Sequence, residues 1–229
     1  METLAPIAAR APDALLLIGS HCPHCQSVLE SLARLVKEGR LGRLTVINIG
    51  VAPDAPEARG IRSVPWTRLG PFELSGALSA AELAEWTEIA AGGGGWGRYF
   101  AHLIEAGRLD SLVERVRLVP GALGDLLDLF ADPRTGLPLR IGISAVIESL
   151  SGAAVLRHAV PRIESLTLSD SPQIRADACY FLGLAGDPGA AATLQRLLVD
   201  EDPEVRSVAA EALALLGVAD ADPGREDRP

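Results

Sequence analysis

This sequence is short of the features that mark several functional classes. Three cysteines in 229 residues are too few for a secreted disulfide scaffold. No apolar run approaches the roughly 20 residues that a membrane-spanning helix needs. Basic residues are outnumbered, 21 against 30 acidic ones, for a net charge of −9. The deficit is uneven: 8 basic and 10 acidic residues lie in 1–91, but 13 and 20 in 92–229. Nucleic acid and anionic membranes are therefore poor candidates for the main partner. Aromatics are scarce at 4%, while the chain is 48% hydrophobic and rich in alanine and leucine, a composition that leans towards helix. The start, METLAPIAARAPDALLLIGS, lacks a basic stretch ahead of its short apolar segment and does not read as a signal peptide. A reducing cytoplasm is the expected location.

What the chain does have is local order of two kinds. Ala14–Gly19 (ALLLIG) is a continuous apolar run that reads as a buried strand. From Pro23 to Lys37 the pattern turns helical, with Val28, Leu32, Leu35 and Val36 on one face. Leu44–Ile49 is a β-branched run, expected parallel to the first strand through the intervening helix. Residues 54–60 offer a short helical turn. Trp66–Leu69 and Phe72–Leu74, divided by Gly70-Pro71, predict a hairpin. Ser79 can cap a helix running to Ala91, with Glu82 completing a capping box. The order is that of a small α/β unit spanning 1–91.

Four consecutive glycines, Gly92–Gly95, then predict a linker over 92–97. They lack the Gly-Lys-Ser/Thr ending of a phosphate loop. Beyond them the chain reads as all-helical over 98–218, and the polar tail 219–229 is expected to be disordered. The last third repeats. SPQIRADACYFLG at 171–183 aligns with DPEVRSVAAEALA at 202–214, and LPLRIGISAVIESL at 137–150 fits the same template. The spacing suggests paired helices stacked as a solenoid. Arg140, Arg175 and Arg206 recur at one position of the repeat. They could form a ligand ladder, but pairing with Asp170, Asp202 or nearby carbonyls is the expected role.

The chemistry concentrates at Ser20-His21-Cys22-Pro23-His24-Cys25. Two thiols three residues apart could bind metal, form an inert disulfide, or cycle between dithiol and disulfide. Tetrahedral zinc wants a second ligand pair elsewhere in the sequence. Cys179 stands alone, and His102 and His158 have no cysteine partner, so no metal is expected. Cys179 itself lies at an apolar helical position and reads as buried and inert.

The strand leading into Cys22-Pro23-His24-Cys25, then Gly60-Ile61-Arg62-Ser63-Val64-Pro65 ahead of a hairpin, then Gly76-Ala77-Leu78-Ser79 opening a helix, together resemble the thioredoxin fold. The repeated Pro-x-hydrophobic-Arg of the second half resembles HEAT-type repeats, although 97–131 fits them poorly. The resemblance implies an α/β thioredoxin-like domain with a shortened hairpin, followed by an all-α HEAT-like solenoid. It implies that Cys22 is the nucleophile, Cys25 the resolving thiol, and Pro65 a cis-proline facing them. Val64, Pro65 and Trp66 would then contact substrate, with the Val64 backbone holding an extended segment, although packing under the hairpin suits Trp66 equally well.

A helix beginning at the motif would aim unpaired N–H groups at Cys22, with Pro23 at its first position. His24, when protonated, would add positive charge beside the thiolate, and His21 stands as a further tuning candidate. Both effects lower the Cys22 pKa and make the disulfide more oxidising. Two departures from the family stand out. Leu16 occupies the position of the usual buried acid, and Ser20-His21 replaces the common tryptophan. The expected activity is thiol–disulfide exchange with no cofactor beyond the Cys22–Cys25 pair, the repeats binding a protein partner. The alternative is an interaction scaffold switched by the redox state of the pair.

Overall fold

The computed structural model describes residues 11–119 and 121–217. The predicted tail, 219–229, lies outside them. The chain divides into two units between Gly95 and Trp96.

The first unit is built on four strands. β1 (Asp13–Ile18) leads to α1 (Cys25–Lys37), β2 (Arg43–Asn48), β3 (Trp66–Leu69), β4 (Phe72–Ser75) and α2 (Ala80–Gly92). The strand order is β2-β1-β3-β4, with β2 parallel to β1 and β3 antiparallel to β1 and β4. The predicted turn at 54–60 is a single 3-10 turn, Pro56–Ala58. Side chains alternate across a sheet, so register decides which face each one joins. Leu17 lies opposite Trp66, and Leu16 opposite Thr67. Leu15, Leu17 and Trp66 therefore share one face, covered by Ile47, Ile49, Ala58, Ile61 and Val64.

The other face carries Ala14, Leu16, Thr67, Leu69, Phe72 and Leu74, all buried. Phe72 meets Trp86 of α2 with ring centroids 5.4 Å apart. From α1, the fully buried Val28 and Leu32 and the nearly buried Leu35 recur with helical spacing. Each such side chain contributes on the order of 1.5–3 kcal/mol over an exposed one. The predicted capping box is present: Ser79 Oγ accepts from the Glu82 N–H at 3.2 Å, and the Ser79 N–H donates to Glu82 Oε2 at 2.8 Å. At its other end α2 takes in Gly92, and Gly93 closes it with φ of 70°, a conformation that favours glycine.

The second unit is helical. It comprises α3 (Trp96–Glu105), α4 (Leu109–Leu118), α5 (Ala122–Ala131), α6 (Leu137–Ser149), α7 (Ala154–His158), α8 (Val160–Leu166), α9 (Pro172–Ala185), α10 (Ala191–Leu197) and α11 (Pro203–Leu215). The three copies of the sequence repeat are α6, α9 and α11. Each has proline in its first turn, where the missing N–H leaves no bond unmade. Small residues set the α9–α11 spacing: a Cβ added to Gly183 would stand 3.2 Å from both Cα and Cβ of Ala212. Among the described residues no helix is long and apolar enough to cross a membrane.

The repeated arginines fold back onto the loops that precede their own helices. Arg140 donates to the carbonyls of Asp132 and Thr135, and Arg206 to those of Asp200 and Glu201. Arg175 does the same at Ser169 and Asp170, and also reaches across to the next repeat. Its Nε and Nη2 donate to the two oxygens of Asp200 at 3.0 and 2.8 Å, a bidentate pair almost closed to solvent. The partner carboxylates are thus those of Asp200 and, at 3.3 Å, Glu201, rather than those of Asp170 or Asp202. Asp202 is occupied in capping α11, accepting from the N–H groups of Glu204 and Val205.

The guanidinium of Arg175 holds the Asp200 carboxyl below its ordinary range. A carboxylate depressed on folding adds stability above its unfolded pKa of about 3.9, and that stability is lost as pH falls through the folded value. Asp200→Asn should therefore lower the stability of the helical unit at pH 7 by about 2 kcal/mol. In urea unfolding followed by circular dichroism, the gap from wild type should close once the medium is acid enough to protonate Asp200.

Candidate functional site

The cysteine pair sits where β1 ends and α1 begins. The apolar strand runs to Ile18, and Gly19 then turns the chain: its carbonyl accepts from the Cys22 N–H at 3.2 Å. A second turn follows, closed by the Cys25 N–H on the Cys22 carbonyl at 3.4 Å. Cys22 and Cys25 are joined by a disulfide, with Cα atoms 5.5 Å apart.

The helix does not begin at Pro23. Its first residue is Cys25 and its N-cap is His24. Pro23 instead takes the second position of the Cys22–Cys25 turn, where its fixed φ is equally suited. The helix terminus still lies at the pair, because Cys25 is its first residue. No acidic residue occupies the first turn of α1, so nothing there offsets the positive end of the helix.

Cys22 is half-buried, whereas Cys25 is 4% exposed. His21, Pro23 and His24 are exposed around them. The side chain of His24 makes no capping bond; its carbonyl accepts from Ser27 Oγ at 2.9 Å. Arg34 and Lys37 lie in the last turn of α1, away from the pair.

The Val64–Pro65 peptide is cis, as the resemblance implies. Its place beside the cysteines is read at Gly19. A Cβ there would stand 3.2 Å from Val64 Cγ2 and 3.9 Å from Cys22 Cβ. Val64 and Cys22 thus flank one glycine. Pro65 is buried, and its carbonyl is taken by the Gly76 N–H at 2.9 Å. Val64 is half-buried and precedes β3, outside the sheet ladder.

Trp66 is different. It was expected among the substrate contacts, but strand alternation turns it inward: it is 4% exposed and packs with Leu15 and Leu17. Its indole belongs to the core beneath the site. Leu16, in the place of the family's acid, is fully buried. Its cross-strand neighbour Thr67 is fully buried too, with a hydroxyl that has no hydrogen-bond partner.

Two positioning groups had not been singled out in the sequence. Gly19 is one. Asn48, at the end of β2, is the other: its Nδ2 donates to Ser20 Oγ at 3.1 Å, and its Oδ1 accepts from the Gly50 N–H at 3.0 Å. This ties the turn before Cys22 to the neighbouring strand. A glycine between a buried strand and the cysteines was the available signal for the first. Nothing local marked the second.

Cys179, the third thiol, is fully buried in α9, and burial pushes its pKa up to about 12. Among the described residues no group of three histidine, cysteine or acidic side chains is placed to hold a metal.

Comparison with known proteins agrees with this geometry. Residues 14–88 match the family model of the thioredoxin domain, and residues 159–223 match that of HEAT repeats. No curated protein matches the chain.

After mild reduction, a small alkylating agent should modify Cys22 first and Cys25 more slowly. Cys179 should react only once the helical unit is unfolded. Peptide mass spectrometry over a time course reads this order directly.

Proposed function

We propose that this chain, a thioredoxin-like domain followed by HEAT repeats, is a thiol–disulfide oxidoreductase whose repeats select a protein partner. The observation that carries the reading is the Cys22–Cys25 pair at the start of α1, beside Val64 and the cis-proline. In the reducing direction the Cys22 thiolate attacks one sulfur of a substrate disulfide. A Cys22–substrate disulfide forms, and the other substrate sulfur leaves as a thiolate that takes up a proton. Cys25 then loses its proton and attacks Cys22 Sγ, releasing the second substrate thiol. The substrate gains two electrons and two protons, and the pair becomes the disulfide. The same steps reversed make the protein an oxidant.

The roles of the neighbours follow from physical chemistry. The N–H groups at the head of α1 stabilise the Cys22 thiolate, and a protonated His24 adds to that field. His21, exposed on the other side of Cys22, is a second candidate for the same effect. Val64, outside the ladder, offers its backbone to an extended substrate segment, and Pro65 shapes the wall beside it. Trp66 supports that wall from within. The pair carries the electrons itself, so no further cofactor is required, and a reducing cytoplasm suits its cycling. Thioredoxin folds and HEAT repeats are generally modules for thiol substrates and protein partners, which supports this division of labour.

A second reading draws on Leu16. With no buried acid there, the family's means of deprotonating the resolving thiol is missing, and turnover would be slow. Slow turnover suits a scaffold whose partner affinity changes with the redox state of the pair.

Two results separate these readings. Under the first, the wild-type chain reduces insulin disulfides over many turnovers, Cys22→Ser abolishes this, and Cys25→Ser accumulates mixed disulfides through Cys22. Under the second, turnover is negligible but partner affinity differs between the oxidised and reduced forms. Absence of both Cys22-dependent adducts and insulin reduction contradicts the oxidoreductase reading.

A further inference from the structure

The helical unit exposes apolar side chains that its own packing leaves uncovered. Leu137 is 70% exposed and Ile141 is 60% exposed. They lie four residues apart on α6, so they stand on one face of the helix. Both line a groove of about 600 Å³ on this unit. Phe130 of α5 contributes to its lining, and Gln173 and Asp177 of α9 line it from the neighbouring repeat. Exposed apolar surface rimmed by polar groups is what an interaction site presents.

Of the three charged residues that line this groove two are acidic, and the exposed Arg134 beside it is paired with Asp132. Glu148 lies on α6 and Asp177 on α9, and both line it. Glu204 of α11 is close enough to act on Asp177. Arg140 is the one cation among the lining residues, and two of its five N–H donors are turned away to the loop before α6. It bonds the carbonyls of Asp132 and Thr135, and its guanidinium lies 5.7 Å from the centre of the Phe130 ring. Glu148 accepts from the Tyr180 hydroxyl at 3.2 Å, and Asp177 from Gln173 at 3.3 Å. Both partners are neutral, so the two carboxylates are offset within the lining by Arg140 alone, and the lining keeps a net negative charge. Burial raises the Asp177 pKa and Glu204 adds to this, whereas the Gln173 bond and Arg140 pull it down.

We infer that the groove between α6 and α9 docks a short basic amphipathic segment of a partner protein. Its aliphatic side chain rests on Leu137 and Ile141, and its lysine or arginine reaches Glu148 and Asp177. The inference rests on reading the repeats as the partner-selecting half, and it specifies the chemistry of that partner. Charge complementarity picks out this occupant. A second copy of the chain docked face to face would set these carboxylates against each other. Nucleic acid and anionic lipid carry the wrong sign.

The test uses the full chain and two fluorescein-labelled 15-residue peptides, one of leucine and lysine with a helical apolar stripe, the other with glutamate for lysine. Fluorescence anisotropy at physiological salt reads binding. The lysine peptide should bind saturably at one site, and the glutamate peptide should not bind. Ile141→Ser and Glu148→Lys should each weaken binding at least tenfold. Glu114→Lys, the same charge change at an exposed position of α4, should stay within twofold. Circular dichroism shows whether each variant is folded, and both groove positions are exposed enough to accept the change.

Equal weakening by Glu148→Lys and Glu114→Lys would reduce the effect to net charge and overturn the assignment, as would failure of the lysine peptide to bind. Concentration-dependent self-association abolished by Ile141→Ser, without peptide binding, would give the face to a second copy and also overturn it. Insulin turnover of the wild-type chain is measured separately. Turnover without peptide binding removes the docking site alone. Peptide binding without turnover upholds the groove and removes the oxidoreductase reading.

Discussion

Gly19 has no side chain, and a methyl of Val64 occupies the space where one would begin. A Cβ at that point would meet Val64 Cγ2 at 3.2 Å, tighter than ordinary packing allows, with Cys22 Cβ just beyond. Everything proposed for the N-terminal unit depends on this close approach. It brings the segment before β3 against the turn before α1, two places more than forty residues apart in the chain. It sets the half-buried Cys22 beside Val64, whose backbone stands outside the sheet. Asn48 holds the same turn from the other strand, through Ser20. The cysteine pair is therefore anchored from β1, from β2 through Asn48, and from the segment before β3.

In the helical unit the comparable device is the arginine of each repeat. An arginine one turn into the helix returns to the carbonyls of the loop before it, and so fixes the angle at which the helix starts. Arg175 alone is also linked to the following repeat, through Asp200. That pair is nearly closed to solvent, and it bridges the junction where Gly183 lets α9 and α11 come close. A buried ion pair is expensive to desolvate, so its value here lies in geometry: the bidentate fit defines how adjacent repeats stack. With the stacking set from within, the outward side chains of α6 and α9 are free to differ from repeat to repeat.

Much of this was legible in the sequence because it is written locally. The apolar run at 14–19, the Ser79–Glu82 box, the hairpin around Gly70-Pro71 and the 31-residue repeat each specify structure through near neighbours, and each element is found. The features that were missed depend on register or on tertiary contact. Trp66 after Pro65 suggested a substrate wall or packing under the hairpin alike, and only the pairing with Leu17 assigns it to the core. Pro23 suggested the first turn of a helix, yet periodicity does not mark where a helix starts, and a tight turn comes first. Asp170 and Asp202 sit nearest to the arginines in sequence, whereas Asp200 is the residue that the stacking delivers. The groove along α6 needed the α9 side chains in place before its charge could be seen.

The central claim is that the Cys22–Cys25 disulfide is a working redox couple, made oxidising by the head of α1 and by His24. Its reduction potential, measured by equilibration with glutathione buffers, tests that claim most directly. The account predicts a value clearly more positive than about −270 mV, within the range reaching to about −120 mV that thioredoxin-fold oxidants occupy. A value below about −300 mV would contradict it, because a disulfide that resists reduction so strongly is a structural bond.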